Sequence, residues 1–295
     1  MRITERLRYS TPQARIQRIR SKQLLLTEQL SSGKRINRPS DDPMGSLKVS
    51  TLTTEKRSYV QYQRNIDAGN HLLNTSDSVL NEATNTLLRT KELAIQSLNS
   101  SLLPSDRNGL ADEVASMRES LRALANTKTN NRYIFGGFQS TTAPYDPALG
   151  FVGDSNATQY DVGQGHKVKV TTAGGAAFGD GTPGTIDVFN NLLQLEVAIR
   201  AGFEVDMQDQ LGTLETSVEQ VIQTRQGLGI QMGRLQGAQA ITDLMQEKIP
   251  DALSKIQDTD FAEVVAELKL VETSLEATLA TSGRLMSGAS LLDFL

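Results

Sequence analysis

QLSSGKRINRPSDDPMG, Gln29 to Gly45, decides the reading of this chain, because it writes a helix stop and a helix start back to back around a basic hinge. Gly33 takes a left-handed C-cap without steric cost, and Lys34 and Arg35 follow where the negative end of a helix dipole favours cations. Ser40 reads as the next N-cap, with Asp41 and Asp42 in a first turn and Pro43 where a missing N–H costs nothing. Ile36, Asn37, Arg38 and Pro39 exceed what capping demands.

Outward from the hinge, helical signals dominate. Upstream, Thr11 and Pro12 suggest a helix start, and Ile16, Ile19, Leu26 and Leu30 lie near three-four spacing on a first helix. Downstream, Ile66, Leu73, Leu80, Leu87 and Ala94 recur every seven residues, with small Gly69, Ser76, Ala83 and Thr90 between them, which predicts one coiled-coil helix from about Asp41 to Ser97. Pro104 interrupts it and Ser105 and Asp106 restart it, after which Leu110, Val114, Met117, Leu121 and Leu124 keep the spacing. Helical pattern resumes at Asp187 to Ala201, and a returning helix then carries Leu211, Leu214, Val218, Val221, Leu228, Met232 and Leu235, with Arg225 alone breaking its seam. Pro250 is expected to end or kink that helix. Asp260 and Glu263 form a capping box for a last helix built on Phe261, Val264, Leu268, Val271 and Leu275.

The middle differs. Residues 136–184 hold 11 of the 23 glycines and three of the eight prolines and lack helical period. TQYDV (158–162) and HKVKVT (166–171) read as a hairpin, TIDVF (185–189) as a last strand, and GGAAFGDG (174–181) as a flexible loop, since it lacks the Gly-Lys-Ser/Thr of a phosphate loop. The expected fold is mainly α with an inserted small β domain, its long antiparallel coiled-coil helices formed by both chain ends. Three regions are expected: a terminal helical domain (1–40 with 258–295) whose ends are mobile in the monomer, a helical rod (41–136 with 185–257), and a β-rich insert (137–184).

Composition narrows the function. With 38% hydrophobic and only 5% aromatic residues and no Trp, the 295-residue chain suits narrow aliphatic seams better than aromatic-lined pockets. Cysteine is absent, which excludes disulfides and thiolate metal sites. No apolar run reaches the roughly 18 residues of a membrane span, and the Arg-rich start has no apolar core of a cleavable signal. The net charge of −4 is polarised: residues 1–38 carry ten Lys and Arg against Glu5 and Glu28, hence +8, leaving −12 elsewhere. Asp258 to Leu295 carries seven acids against Lys269 and Arg284. A basic N-terminus can bind nucleic acid or a membrane surface. Pairing with the acidic C-terminus is the favoured reading, since no stacking aromatics interleave the basic residues. The two histidines, His71 and His166, have no ligand-spaced partners and read as solvent-facing or structural, and Asp41 and Asp42 are explained by their helix start. No catalytic, cofactor or metal residues are assigned, and no enzyme is expected.

Four stretches carry a family resemblance. RINRPSDDP (35–43), QRNIDAGNHLLNTSDSVLNEATNTL (63–87), NRYIFGG (131–137) and SGASLLDFL (287–295) resemble the bacterial flagellins and their relatives, and the first and third are more similar to the hook-associated branch of that family than to filament flagellins. The resemblance covers both helical ends, with a poorly matched middle. It implies a structural axial protein of the flagellum, exported by the flagellar type III pathway without a cleaved signal peptide and placed extracellularly where hook meets filament. The implied partners are copies of itself in a ring, an adjacent junction protein, the flagellin filament, and an export chaperone at the C-terminal helix, with no nucleic acid and no membrane. Subunit contacts are expected at Arg35 and Arg38, whose charges capping does not need, and along the seams Ile16, Ile19, Leu26, Leu30, Phe261, Val264, Leu268, Val271 and Leu275. A filament flagellin is the alternative within the family; a basic-armed coiled coil binding nucleic acid or membrane is the alternative outside it.

Overall fold

A computed structural model describes residues 3–180 and 184–287. The chain is mainly α, with a small β insertion, and divides into two compact units: residues 1–58 with 245–295, and residues 59–244.

The first unit pairs the chain ends. Helix α1 (Ile3–Ser32) begins ahead of the expected Thr11 start and runs through Pro12, because a proline inside a helix forfeits one backbone bond without forbidding the turns on either side. Helix α7 (Phe261–Ser287) starts at the predicted cap, with Asp260 Oδ1 accepting from the amides of Ala262 (2.9 Å) and Glu263 (3.2 Å). Leu26, Val264 and Val271 are buried between the two helices, and Ile19, Leu30 and Leu268 pack against them. The closing helix sequence beyond Ser287 lies outside the described residues.

The second unit is built on helix α2 (Pro43–Ser97) from Tyr59 onward, α3 (Pro104–Ala125), α5 (Val188–Ala201) and α6 (Glu204–Gln257) as far as Leu244. The seven-residue ladder was read correctly: Ile66, Leu73, Leu80 and Leu87 are all fully buried, and so are Leu214, Val221, Leu228 and Leu235 on α6. The two helices run antiparallel, since Gln63 and Gln239 exchange amide hydrogen bonds of 3.1 and 3.0 Å while Ser97 donates to Met207 Sδ at 3.4 Å. Helices α3 and α5 are also antiparallel, tied by Arg118–Glu196 at 2.7 Å and Arg200–Asp112 at 2.5 Å. Gly202, left-handed at φ 73°, closes α5 and lets the chain turn into α6. That helix continues through Pro250 to Gln257, so the proline does not end it.

The insertion consists of three separate antiparallel pairs: β1 (Lys128–Thr129) with β2 (Arg132–Tyr133), β3 (Tyr145–Asp146) with β4 (Gly150–Phe151), and β5 (Gln159–Gly163) with β6 (His166–Lys169). The last is the predicted hairpin, turning at Gly165 with φ 73°. Two expectations fail here. TIDVF is no strand: Asp187 is an N-cap whose side chain accepts from the Asn190 amide at 3.0 Å, and α5 starts at Val188. The glycine-rich stretch contains a short helix, α4 (Gly174–Phe178), packed into the core; its glycines allow close approach, Gly174 lying against the Phe135 backbone and Tyr145 ring. Five of the fourteen aromatics gather there, with Phe135, Tyr145, Phe151, Phe178 and Phe189 making ring contacts of 4.9–6.0 Å. Burial raises the Tyr145 hydroxyl well above its ordinary pKa, and that hydroxyl donates to the Gly179 carbonyl at 3.1 Å.

Candidate functional site

The hinge holds the chain ends together. Gly33, with φ 71°, ends α1 by donating to the Gln29 carbonyl at 2.8 Å. The chain then runs beside the turn from α6 to α7: the Arg35 amide donates to the Gln257 carbonyl (2.6 Å), the Thr259 amide to the Gly33 carbonyl (3.1 Å), and Lys34 and Asp258 form an antiparallel bridge. The Phe261 ring rests near Gly33. Ile36 is buried and plugs the space against Gly45, where any Cβ would collide with it.

The acids have roles other than those expected. Asp42, not Ser40, caps α2: its Oδ1 accepts from the Gly45 amide at 2.9 Å, with Pro43 in the first position. Asp41 stays outside the helix and closes the RINRP turn by accepting from the amides of Asn37 (3.1 Å) and Arg38 (2.8 Å). Pro43 explains the shift, because it fixes the first helical turn and makes its predecessor the cap. The Gly45 bond, with support from Arg35, holds the Asp42 carboxyl below its ordinary pKa.

Both hinge arginines find partners within the chain. Arg35 Nη2 donates to the Ile256 carbonyl (3.0 Å) and to Asp42 Oδ2 (3.3 Å), so one guanidinium joins the end of α6 to the cap of α2. Arg38 Nη2 reaches both Glu28 oxygens at 3.2 Å and folds back onto α1. Their charges are thus engaged by the fold, which the sequence reading did not foresee. The signal available was Ile36, an apolar residue inside a polar loop.

The structure brings the predicted seam residues together. Leu26 and Leu30 of α1 meet Val264 and Leu268 of α7, Ile19 and Val271 continue the seam, and Ile16 and Leu275 are half-buried. Phe261 stays 56% exposed. Lys22 and Glu267, 3.5 Å apart, are the one ion pair linking the two helices among the described residues, and its half-exposed side chains make it weak. Packing therefore holds the pair more than the opposite charges do. On the outside of the same helices Leu24 (71%), Val265 (52%) and Leu270 (70%) face solvent.

Nothing in this arrangement resembles a reaction centre. Among the described residues no group of three or more His, Asp or Glu is placed to hold a metal, and no helix is long and apolar enough to cross a membrane. His71 and His166 are both exposed, in keeping with their reading as surface residues.

The profile of the bacterial flagellin N-terminal helical region matches residues 3–140. Flagellar hook-associated protein 3 of Salmonella typhimurium is 26% identical over 305 aligned residues, which cover 95% of this chain and 96% of that protein. The profile match takes in a little less than half of the chain, so what is shown is similarity to flagellin-like proteins. A Bacillus subtilis flagellin is 27% identical over 81% of each chain. The crystal structure of flagellar hook associated protein-3 from Legionella pneumophila shares the fold, with a TM-score of 0.66 and 16% identity over 70% of this chain and 98% of that one.

Proposed function

We propose that this chain is the adaptor that joins hook to filament in the bacterial flagellum. The observation that carries the reading is end-to-end similarity to hook-associated protein 3, which includes the central insertion as well as both helical ends. The subunit acts by contact alone, and is exported through the flagellar type III channel to an extracellular site. It forms a ring of copies between an adjacent junction protein and the flagellin filament, and its C-terminal helix meets an export chaperone on the way. The terminal pair is the surface offered to neighbouring subunits: Arg35 and Arg38 at its hinge end, the seam from Ile16, Ile19, Leu26 and Leu30 to Phe261, Val264, Leu268, Val271 and Leu275 giving it shape, and Leu24, Val265 and Leu270 facing outward. Large apolar side chains left exposed favour burial against another apolar surface.

A strain lacking this chain should build hooks yet release flagellin monomers into the medium, and restoring the gene should restore attached filaments. A filament flagellin is the second reading, supported by the Bacillus match. Under it, the deletion strain makes no released flagellin of this kind, and antibody to the chain decorates the whole filament instead of its base.

A further inference from the structure

Arg225 interrupts an otherwise apolar seam, and its surroundings show why a charge is useful there. The buried layers of α2 repeat every seven residues through Ile66, Leu73, Leu80 and Leu87, and those of α6 through Leu235, Leu228, Val221 and Leu214. The small residues of α2 between its buried layers, Gly69, Ser76, Ala83 and Thr90, repeat at the same interval, and Leu235 lies against the first of them, Gly69. A slide by one heptad, about 10 Å at 1.5 Å per residue, that carries Leu235 from Gly69 to Ser76 would therefore set leucine against small residue again. The opposite slide would drive Leu235 against Tyr62. Apolar packing blocks one direction and hardly opposes the other.

The polar contacts are not degenerate in this way. Arg225 Nε donates to Asp77 Oδ1 at 2.9 Å, Nη2 to Asp77 Oδ2 at 3.3 Å, and Nη1 to Asn81 Oδ1 at 3.0 Å. After the permitted slide Arg225 would face Thr84 and Leu88, leaving a partly buried guanidinium without a counterion. The Gln63–Gln239 pair discriminates poorly, because Gln239 would meet Asn70, another amide.

We propose that Arg225, through Asp77 and Asn81, sets the axial register of the α2–α6 pair and thereby the length of the helical unit. A single charged contact in an apolar seam adds little stability but can select one register among near-equals.

The chain has no cysteine, so introduced pairs are the only thiols. Lys91 and Glu215, whose side chains are 2.8 Å apart, report the observed register as K91C/E215C; K91C/I222C reports the slid one, since disulfides need Cα atoms within about 7 Å. With Arg225 present, oxidation should close only 91–215. Arg225→Leu should keep helical content by circular dichroism and raise the 91–222 product at least tenfold, and the exchange D77R/R225D should suppress it again. If Arg225→Leu stays helical and closes only 91–215, the proposal is overturned, and the register belongs to the insertion's bonds to Asn65 and Gln220. Should Arg225→Leu lose its helix, the exchange decides: helical recovery with 91–215 alone supports the proposal, and failure to recover overturns it.

Discussion

The two compact units are held by different means. Between Tyr59 and Leu244 a continuous core runs from Ile66 to Leu235 and takes in the aromatic cluster of the insertion, whereas the unit made by the chain ends buries Leu26, Val264 and Val271 in its helix seam, with Ile36 and Ile249 buried elsewhere in it, and depends on a hinge of backbone and carboxylate hydrogen bonds. Ordering a residue costs about 1–2 kcal/mol of backbone entropy, so a two-helix seam with three buried side chains has little surplus. The comparison teaches that the larger unit carries its own extended core while the terminal unit does not, although both leave large apolar side chains exposed.

The largest effect that could break this contrast lies in the core. Phe178→Ala should cost about 3–5 kcal/mol in denaturant unfolding of the larger unit, because a fully buried ring leaves a cavity among Phe135, Tyr145 and Phe189. Next comes Leu26→Ala, with an intrinsic cost of about 2–3 kcal/mol. That is enough to abolish amide protection in α1 and α7, while the main unfolding transition stays in place; a shift of the main transition would mean that the units are not energetically separate.

A smaller effect is expected at the hinge. Asp42→Ala should speed exchange of the Gly45 amide and fray the start of α2, whereas Ser40→Ala should change stability by no more than about 0.5 kcal/mol. Acid should do the same as Asp42→Ala. The folded carboxyl titrates below its unfolded counterpart, so its contribution is whole at neutral pH and disappears as pH falls through the depressed value. Gly45 exchange that ignores pH in that range would remove Asp42 from the cap. The smallest effect belongs to Arg38→Ala: with its side chain 68% exposed, loss of the Glu28 pair should alter monomer melting by less than about 0.5 kcal/mol. Arg38→Ala that leaves melting unchanged but detaches filaments would sharpen the contrast, by assigning that residue to neighbours.

Much of this architecture was legible in the residue pattern, for a physical reason: helices are local. The heptad from Ile66 to Leu87, the stop at Gly33, the Asp260 cap and the Gly165 turn each depend on chemistry within a few positions, and each stands where the pattern placed it, whereas Pro104, read as the breaker, is instead the first residue of α3 after α2 has ended at Ser97. The pairing of the chain ends was expected from their opposite charges, and it is the apolar seam that carries it. Other decisions rested on competing turn chemistry or on residues far apart in sequence. Whether Ser40 or Asp42 caps α2 depended on Pro43 together with Arg35 and Ile36 across the turn; whether GGAAFGDG was loop or helix depended on Phe135 and Tyr145, which give Phe178 a core to enter. The partners of Arg35 at the end of α6 and of Arg225 on α2 were likewise invisible, because the backbone carbonyl of Ile256 and the carboxylate of Asp77 become neighbours only when helices more than a hundred residues apart are laid side by side. Local periodicity determined the elements and their buried faces; tertiary packing alone decided which charges those faces bring together.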